Sequence, residues 1–207
     1  MIRPYRSSDR DAVADICVRT AAAGGDSREI YPDLRLMPSI FAEPYTFLEP
    51  EMCFVADNGE RAVGYIVATA DTTAFAAAVR QKWLPRVAEM YPPPTAPPDT
   101  PSEFMVSLLY NPERMILPEL ANYPAHLHIN LLPDYQRKGL GRELIDALRA
   151  ALHKAGVPSV HLGMLTENVV ARAFDDRTGF HVLPVHDPGV LTYLGRSTAE
   201  DARATGT

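Results

Sequence analysis

The sequence predicts a mixed α/β fold, and three observations carry that expectation. Ala125 to Leu131 alternates apolar and polar residues, the segments on either side of Asp57-Asn58-Gly59-Glu60 read as two hairpin strands, and Leu140 to Leu152 carries an amphipathic helical stripe. At 207 residues, 46% hydrophobic and 22% charged, the chain has the composition of one globular domain whose core needs no disulfide or metal staple. No apolar run reaches the ~20 residues that cross a bilayer. Met1-Ile2-Arg3-Pro4-Tyr5 lacks the regions of a signal peptide, and Cys17 and Cys53 make no disulfide framework, so a reducing cytoplasm without membrane attachment is expected. Both cysteines read as core residues. The formal charge of −6 argues against a nucleic-acid partner and suits a cationic one such as an amine.

Taken in order, Arg3 to Tyr5 ends a first strand, and Ser8 with Asp11 marks a helix start whose apolar side is Val13, Ile16 and Cys17. Between Ala21 and Pro50, Gly24-Gly25 and four prolines limit helices to short pieces. Met52 to Ala56 and Ala62 to Ala70 form the hairpin. Ala74 to Met90 is helical, with Pro85 predicting a break and restart; Tyr91 to Pro101, six prolines in eleven positions, predicts an extended surface loop that is either a lid or a solvated excursion. A strand from Ala125, a helix from Leu140 stopped by Gly156 and Pro158, a strand at Val160 to Met164 and a helix at Asn168 to Thr178 follow. Closing strands are expected at His181 to Val185 and Val190 to Gly195, and residues 197–207 are expected to be a disordered tail.

Gln136-Arg137-Lys138-Gly139-Leu140-Gly141 separates the alternating strand from the amphipathic helix. Its glycines allow close backbone approach, and a helix start offers free N–H groups and a positive dipole end, which suits a phosphate. Alone, such a turn is equally an ordinary solvated loop.

The order strand, Pro133, Gln136-x-x-Gly139-x-Gly141, helix, strand, Asn168, Ala171, Phe174, Gly179-Phe180 resembles the core of the GNAT superfamily of N-acetyltransferases, over about Ala125 to Phe180. A narrower likeness, in Thr69-Ala70-Asp71-Thr72-Thr73-Ala74-Phe75, Trp83-Leu84-Pro85 and Met90-Tyr91, is to the acetyltransferase-like C-terminal domain of O-GlcNAcases and its bacterial relatives. The eukaryotic domains lack an intact Q-x-x-G-x-G, whereas this chain keeps it. The resemblance implies a mixed, mostly antiparallel sheet of six to seven strands flanked by helices, in one domain over residues 1–196 with an insertion at 72–124. It implies an acetyl-CoA-dependent transfer of acetyl to an amine, on a small molecule or a protein lysine, by a monomer or homodimer. The alternative is a non-catalytic acetyl-CoA-binding module.

By the same resemblance, the amides of Arg137, Lys138, Gly139, Leu140, Gly141 and Arg142, after Gln136, hold the pyrophosphate, while Ile129 and Leu131 pair with pantetheine through their backbones. Asn168 and Phe174 line the far side of the cofactor; helix capping accounts equally for Asn168, and core packing for Phe174. His128, on the polar strand face with His126 and Asn130, is the candidate base, or else a structural histidine. The family's acid is a tyrosine four residues before Gly-Phe, and here that position is Asp175. An ionised carboxylate cannot donate a proton, so Asp175 serves only if burial raises its pKa. Otherwise it faces solvent while Tyr123 or water serves, it contacts a cationic acceptor, or transfer is slow. Asp71 either orients an amine or caps a turn. His126-Leu127-His128 has no third ligand at metal spacing, and no metal is expected.

Overall fold

A strand buried on both faces reads as a continuous apolar run, and Ala62-Val63-Gly64-Tyr65-Ile66-Val67-Ala68-Thr69 is such a run. The computed structural model describes residues 1–199, and in it all eight of these residues are buried at the middle of one seven-stranded sheet. The strands are β1 (Ile2–Pro4), β2 (Phe54–Asp57), β3 (Ala62–Thr69), β4 (Ala125–Leu131), β5 (Ser159–Leu165), β6 (His181–Val182) and β7 (Leu191–Ser197). They stand in the order β1-β2-β3-β4-β5-β7-β6, and every neighbouring pair is antiparallel except β4 with β5.

Between β1 and β2 run α1 (Arg10–Val18), α2 (Leu36–Phe41) and α3 (Glu43–Leu48). They cover the sheet face that carries Tyr65, His126 and His128, which Tyr45 and Phe41 touch directly. The helix start lies slightly earlier than Ser8 and Asp11 suggest: Asp9 accepts from the Arg6 N–H (2.9 Å) and binds Arg3 (2.7 Å). Arg3 also donates to Asp57 (2.7 Å), so one guanidinium ties β1 to the helix start and the hairpin turn. In that turn Gly59 takes a φ of +102°, as the Asn-Gly signal requires.

The segment between β3 and β4 holds α4 (Thr72–Ala78), α5 (Leu84–Val87) and α6 (Pro101–Leu109). Here two expectations are corrected. The irregularity assigned to Pro85 lies upstream, as a π-helical turn at Val79–Trp83 that joins α4 to α5 without a break. Pro85 brings no N–H, and a wider turn just before it absorbs the mismatch while Trp83 Nε1 donates to the Ser39 carbonyl (2.8 Å). The helix α6 went unread among the prolines, although Thr100 and Glu103 make a capping box around Pro101 at the first helical position.

On the opposite sheet face lies α7 (Leu140–Lys154), whose Leu144, Ile145, Leu148 and Leu152 are at most 1% exposed. Each such side chain contributes roughly 1.5–3 kcal/mol of burial. The helix stops at Gly156, with a φ of +76°. α8 (Val169–Arg177) follows β5. The closing strands are displaced by a residue or more: β6 ends at Val182, and β7 runs on to Ser197, with Thr198 buried, so the tail expectation is wrong for 197–198. From residue 200 onward that expectation lies outside the described residues. Cys17 and Cys53 are free and buried in the core.

Gly141 has no side chain for a packing reason. A Cβ there would lie 2.9 Å from the Phe174 ring, so α7 and α8 approach only through this glycine. Gly141→Ala is expected to destabilise the fold by about 1–3 kcal/mol in equilibrium urea unfolding, and Phe174→Leu in the same chain should recover part of the loss.

Candidate functional site

β4 and β5 pair only at Ala125–Val160 and His126–His161, and past these residues they part. Leu132 N–H donates to the Val63 carbonyl (3.0 Å), and in an antiparallel ladder alternate residues face the partner strand. His126, His128 and Asn130 therefore turn their backbone groups to β3, while Ile129 and Leu131 turn theirs into the opening. Gln136 Nε2 closes the end of this edge by donating to the Leu131 carbonyl (3.0 Å). The two strand residues that sequence reasoning picked for backbone pairing are the ones whose backbones line the gap.

The turn after β4 alternates in handedness. Arg137 has a φ of +58° and Gly139 of +88°, and Gly139 is the N-cap of α7. Successive N–H groups in such a turn converge into an anion-binding concavity, which the helix N-terminus reinforces. Of the two glycines, Gly139 supplies the backbone conformation and Gly141 the room for Phe174. Arg137 and Lys138 are exposed beside the concavity, with Lys138 Nζ 5.3 Å from the Tyr135 ring centroid. Arg142 donates to the Arg177 carbonyl (2.8 Å), which ties the α7 start to the end of α8. Asn168 caps α8, accepting from the Ala171 N–H (3.0 Å), so the capping reading accounts for its side chain. Asp71 likewise caps α4, accepting from the Ala74 N–H (2.9 Å).

The polar face of β4 is covered: His126 is buried and His128 half-buried under Tyr45, Phe41 and Phe75. Tyr45 Oη lies 2.7 Å from His126 Nε2 and 3.1 Å from His128 Nε2, and His126 Nδ1 lies 2.8 Å from Thr72 Oγ1. Desolvation by this cover, with the Arg114 guanidinium and His161 adding repulsion, pulls the His128 pKa down to about 4 and that of His126 well below the ordinary value. His128 is thus less basic than a solvated imidazole, because apolar rings replace the water that would stabilise the imidazolium. The imidazole is neutral at physiological pH.

Asp175 is 3% exposed, which removes the reading in which it faces solvent. Burial raises its pKa to about 7, with Asp176 adding to the rise. Its carboxyl has no hydrogen-bond partner among the described residues, so a large fraction holds a proton at neutral pH. Tyr123, the proposed substitute, donates to or accepts from His181 Nε2 (3.0 Å) and packs against Gly195 on β7, away from β4.

Sequence reasoning missed Tyr45, Thr72, His161 and Tyr193. The first two come from segments whose placement needs the fold. His161 Nδ1 donates to the Tyr123 carbonyl (2.8 Å). Tyr193 carried one legible signal: glycine at 163 inside a strand, where a Cβ would stand 3.1 Å from the Tyr193 ring. That ring lies over β5 beside the opening, and its hydroxyl has no partner among the described residues.

A sheet opened between two parallel strands, with an anion-cradling turn at the following helix, is the architecture of the GNAT acetyltransferases. The chain belongs to this family. The family model for the Acetyltransferase (GNAT) family matches residues 105–180. The crystal structure of SsHAT is 58% identical, covers 97% of this chain and 98% of its own, and superposes with a TM-score of 0.94. Protein O-GlcNAcase of Rattus norvegicus is 24% identical over 166 residues, 75% of this chain, and the chain spans only 17% of that protein's length. The [ribosomal protein bS18]-alanine N-acetyltransferase of Escherichia coli K12 is 37% identical over 67 residues, 32% of this chain and 45% of the enzyme. The fold is shared with yncA of Salmonella typhimurium, solved with its cofactor acetyl-CoA, at 17% identity and a TM-score of 0.55, over 98% of this chain and 95% of that one. Among the described residues no helix is long and apolar enough to cross a membrane, and no group of three or more His, Cys, Asp or Glu side chains could hold a metal ion.

The two perturbed groups impose opposite pH dependences on stability. His128 has a folded pKa of about 4, below its unfolded value of 6.5, so the unfolded chain binds the proton first. Its neutral burial is harmless above pH 6.5 and becomes destabilising, by up to roughly 3 kcal/mol, as pH falls through 4. Asp175 has a folded pKa of about 7, above its unfolded 3.8, so its burial is harmless below pH 3.8 and destabilises as pH rises through 7. Asp175→Asn should therefore raise the urea-unfolding free energy by roughly 2–4 kcal/mol at pH 8 and by less than about 1 kcal/mol at pH 4. Equal gains at both pH values would contradict the buried-acid assignment.

Proposed function

We propose that the protein is an acetyl-CoA-dependent N-acetyltransferase that passes acetyl directly to an amine within a ternary complex. The observation that carries this reading is the unpaired backbone edge of Ile129 and Leu131 leading straight to the concavity at Arg137 to Arg142. An extended amide-bearing chain ending in a pyrophosphate fits such a site: the edge pairs with the amides as another strand would, and the turn holds the anion. Asn168 and Phe174, on the β5 side, close the far wall. The chemistry of a bacterial relative that acetylates an alanine amine favours an amine acceptor, on a small molecule or a protein. The glycosidase activity of O-GlcNAcases is not carried over. The protein is assigned to the cytoplasm, as a monomer or homodimer.

Acetyl-CoA supplies a thioester whose carbonyl carbon is attacked and whose sulfur leaves. The Ile129 N–H is the fixed donor for negative charge developing on the carbonyl oxygen. His128, neutral and carrying a lone pair, takes the proton released from the amine nitrogen as the C–N bond forms. Its low basicity requires an amine that arrives unprotonated. The protonated Asp175 gives its proton to sulfur as the C–S bond breaks, so amide and free thiol leave, and the proton taken up by His128 returns through water to restore Asp175 with no net release. The second reading, a non-catalytic acetyl-CoA-binding module, is favoured by a single observation, the absence of tyrosine at position 175.

Gly139→Glu should abolish acetyl-CoA binding in titration calorimetry, because it strains a +88° φ and sets a carboxylate among the phosphate-binding amides. Unchanged affinity would sink the cofactor assignment. Purified protein given acetyl-CoA and a panel of amines, a dipeptide α-amine, a lysine ε-amine and glucosamine, should release thiol above the acceptor-free rate; binding without release would establish the non-catalytic module. With the amine held in excess in its neutral form, kcat should rise as pH increases through about 4 and fall through about 7, since neutral His128 and protonated Asp175 are both required. Two units above the upper pKa, the loss is about 100-fold. A flat profile from pH 7 to 9 would move the acid to Tyr193, and Tyr193→Phe would then lower turnover.

A further inference from the structure

We propose that Thr72, His126 and Tyr45 are positioning residues for His128: a one-way hydrogen-bond chain, anchored on the Pro124 carbonyl, fixes the His128 proton on Nε2 and leaves Nδ1 as its lone pair. Its role in transfer rests on the acetyltransferase reading above; its direction rests on the hydrogen-bond geometry of neutral histidines.

The direction follows from counting hydrogens. The Pro124 carbonyl can only accept, and both the Thr72 N–H and the Thr72 hydroxyl lie 2.8 Å from it. The hydroxyl has one hydrogen, yet its oxygen is also 2.8 Å from His126 Nδ1. Giving that hydrogen to Nδ1 would leave two oxygens facing each other lone pair to lone pair in a buried site. The hydroxyl therefore donates to Pro124, and His126 Nδ1–H donates to the hydroxyl. A neutral imidazole carries one N–H, so His126 Nε2 is an acceptor and the Tyr45 hydroxyl, 2.7 Å away, donates to it. That spends the only phenolic hydrogen. The His128 Nε2 at 3.1 Å from the same oxygen must then be the donor, and Nδ1 is bare.

Nδ1 of His128 has no partner among the described residues. No fully buried side-chain nitrogen or oxygen among them lacks one, so this lone pair is open to an incoming group. The groups that face His128 are Tyr45 from α3, the Phe41 ring edge from α2, His126 on its own strand, His161 on β5 and Arg114 from the turn after α6. None is an acid. Burial and the Arg114 charge disfavour the charged form of both histidines, in keeping with a count of one proton each. His161 is held the same way, with Nδ1–H on the Tyr123 carbonyl, so the three imidazoles of this face are all anchored to the 123–124 backbone, directly or through the chain.

The test reads tautomers directly, by long-range 1H–15N NMR of histidine-labelled protein without ligand. Wild-type His128 should carry its proton on Nε2 at pH 7; a proton on Nδ1 overturns the proposal without any variant. Thr72→Val removes the anchor while keeping the shape. His126 should then move its proton to Nε2, Tyr45 should turn its hydroxyl to His128, and His128 should become the Nδ1–H tautomer, with turnover down about 10–100-fold and acetyl-CoA affinity unchanged. Thr72→Ser should restore both tautomer and turnover. A Thr72→Val protein with unchanged His128 tautomer, or with a switched tautomer and full turnover, overturns the positioning role. If wild type shows the Nε2–H tautomer and the switch but transfers no acetyl, the chain stands and the acetyltransferase reading falls.

Discussion

The parting of β4 from β5 is the constraint on which the rest of this structure depends. A sheet normally keeps its interior strands paired, because a backbone N–H or C=O withdrawn from water without a partner costs roughly 1–3 kcal/mol. Here pairing stops after His126 and His161, in the middle of the sheet, and the neighbouring elements are arranged around the interruption. Gln136 bonds the Leu131 carbonyl at the mouth. The Gly141–Phe174 contact joins the helices that follow the two separated strands, so the opening is bounded by close packing rather than by a loose edge. These devices bound the opening and leave the Ile129 backbone as the strand edge still on offer.

On the other sheet face the same interruption sets the electrostatics. Where the strands still touch, His126 and His161 lie side by side, with ring centroids 5.6 Å apart, and the segment between β3 and β4 folds over them. Apolar cover and the nearby Arg114 make an imidazolium expensive on this face. On α8, burial makes a carboxylate expensive at Asp175. Both effects favour the uncharged form of the group, so near pH 7 the base candidate is neutral and a large fraction of the acid candidate holds its proton.

Legibility followed the range of the interaction that set each feature. The hairpin turn, β4 and α7 are fixed by local rules, namely positive φ at Gly59, side-chain alternation and a 3.6-residue stripe, and each was readable with its boundaries nearly right. Ile129 and Leu131 were readable through family resemblance, since backbone direction follows from strand parity. The environments of His128 and Asp175 were not, because burial is a property of what folds over a residue from elsewhere. Tyr45 comes from a proline-punctuated stretch eighty-three positions before His128, and no periodicity links them. The π-helical turn at Val79–Trp83 was hidden for a different reason: Pro85 signals a disruption, but where the helix absorbs it depends on Trp83 being held by Ser39.

Asp175 therefore carries less weight against catalysis than its identity suggests. The objection to an aspartate at the acid position is that it is ionised, which holds for a solvated carboxyl with a pKa near 3.8. With a pKa of about 7 and no hydrogen-bond partner among the described residues, a large fraction of it keeps its proton in the neutral range. A tyrosine would hold its proton across a wider range and release it less readily. In the proposed mechanism a buried aspartate in its place narrows the pH range of the acid while strengthening the acid within that range, and His128, neutral from about pH 4 upward, leaves that range intact. In the proposed transfer, what the site gives up in basicity at His128 would fall on the acceptor, and this would select for amines that are already neutral, or readily made so, when they reach it.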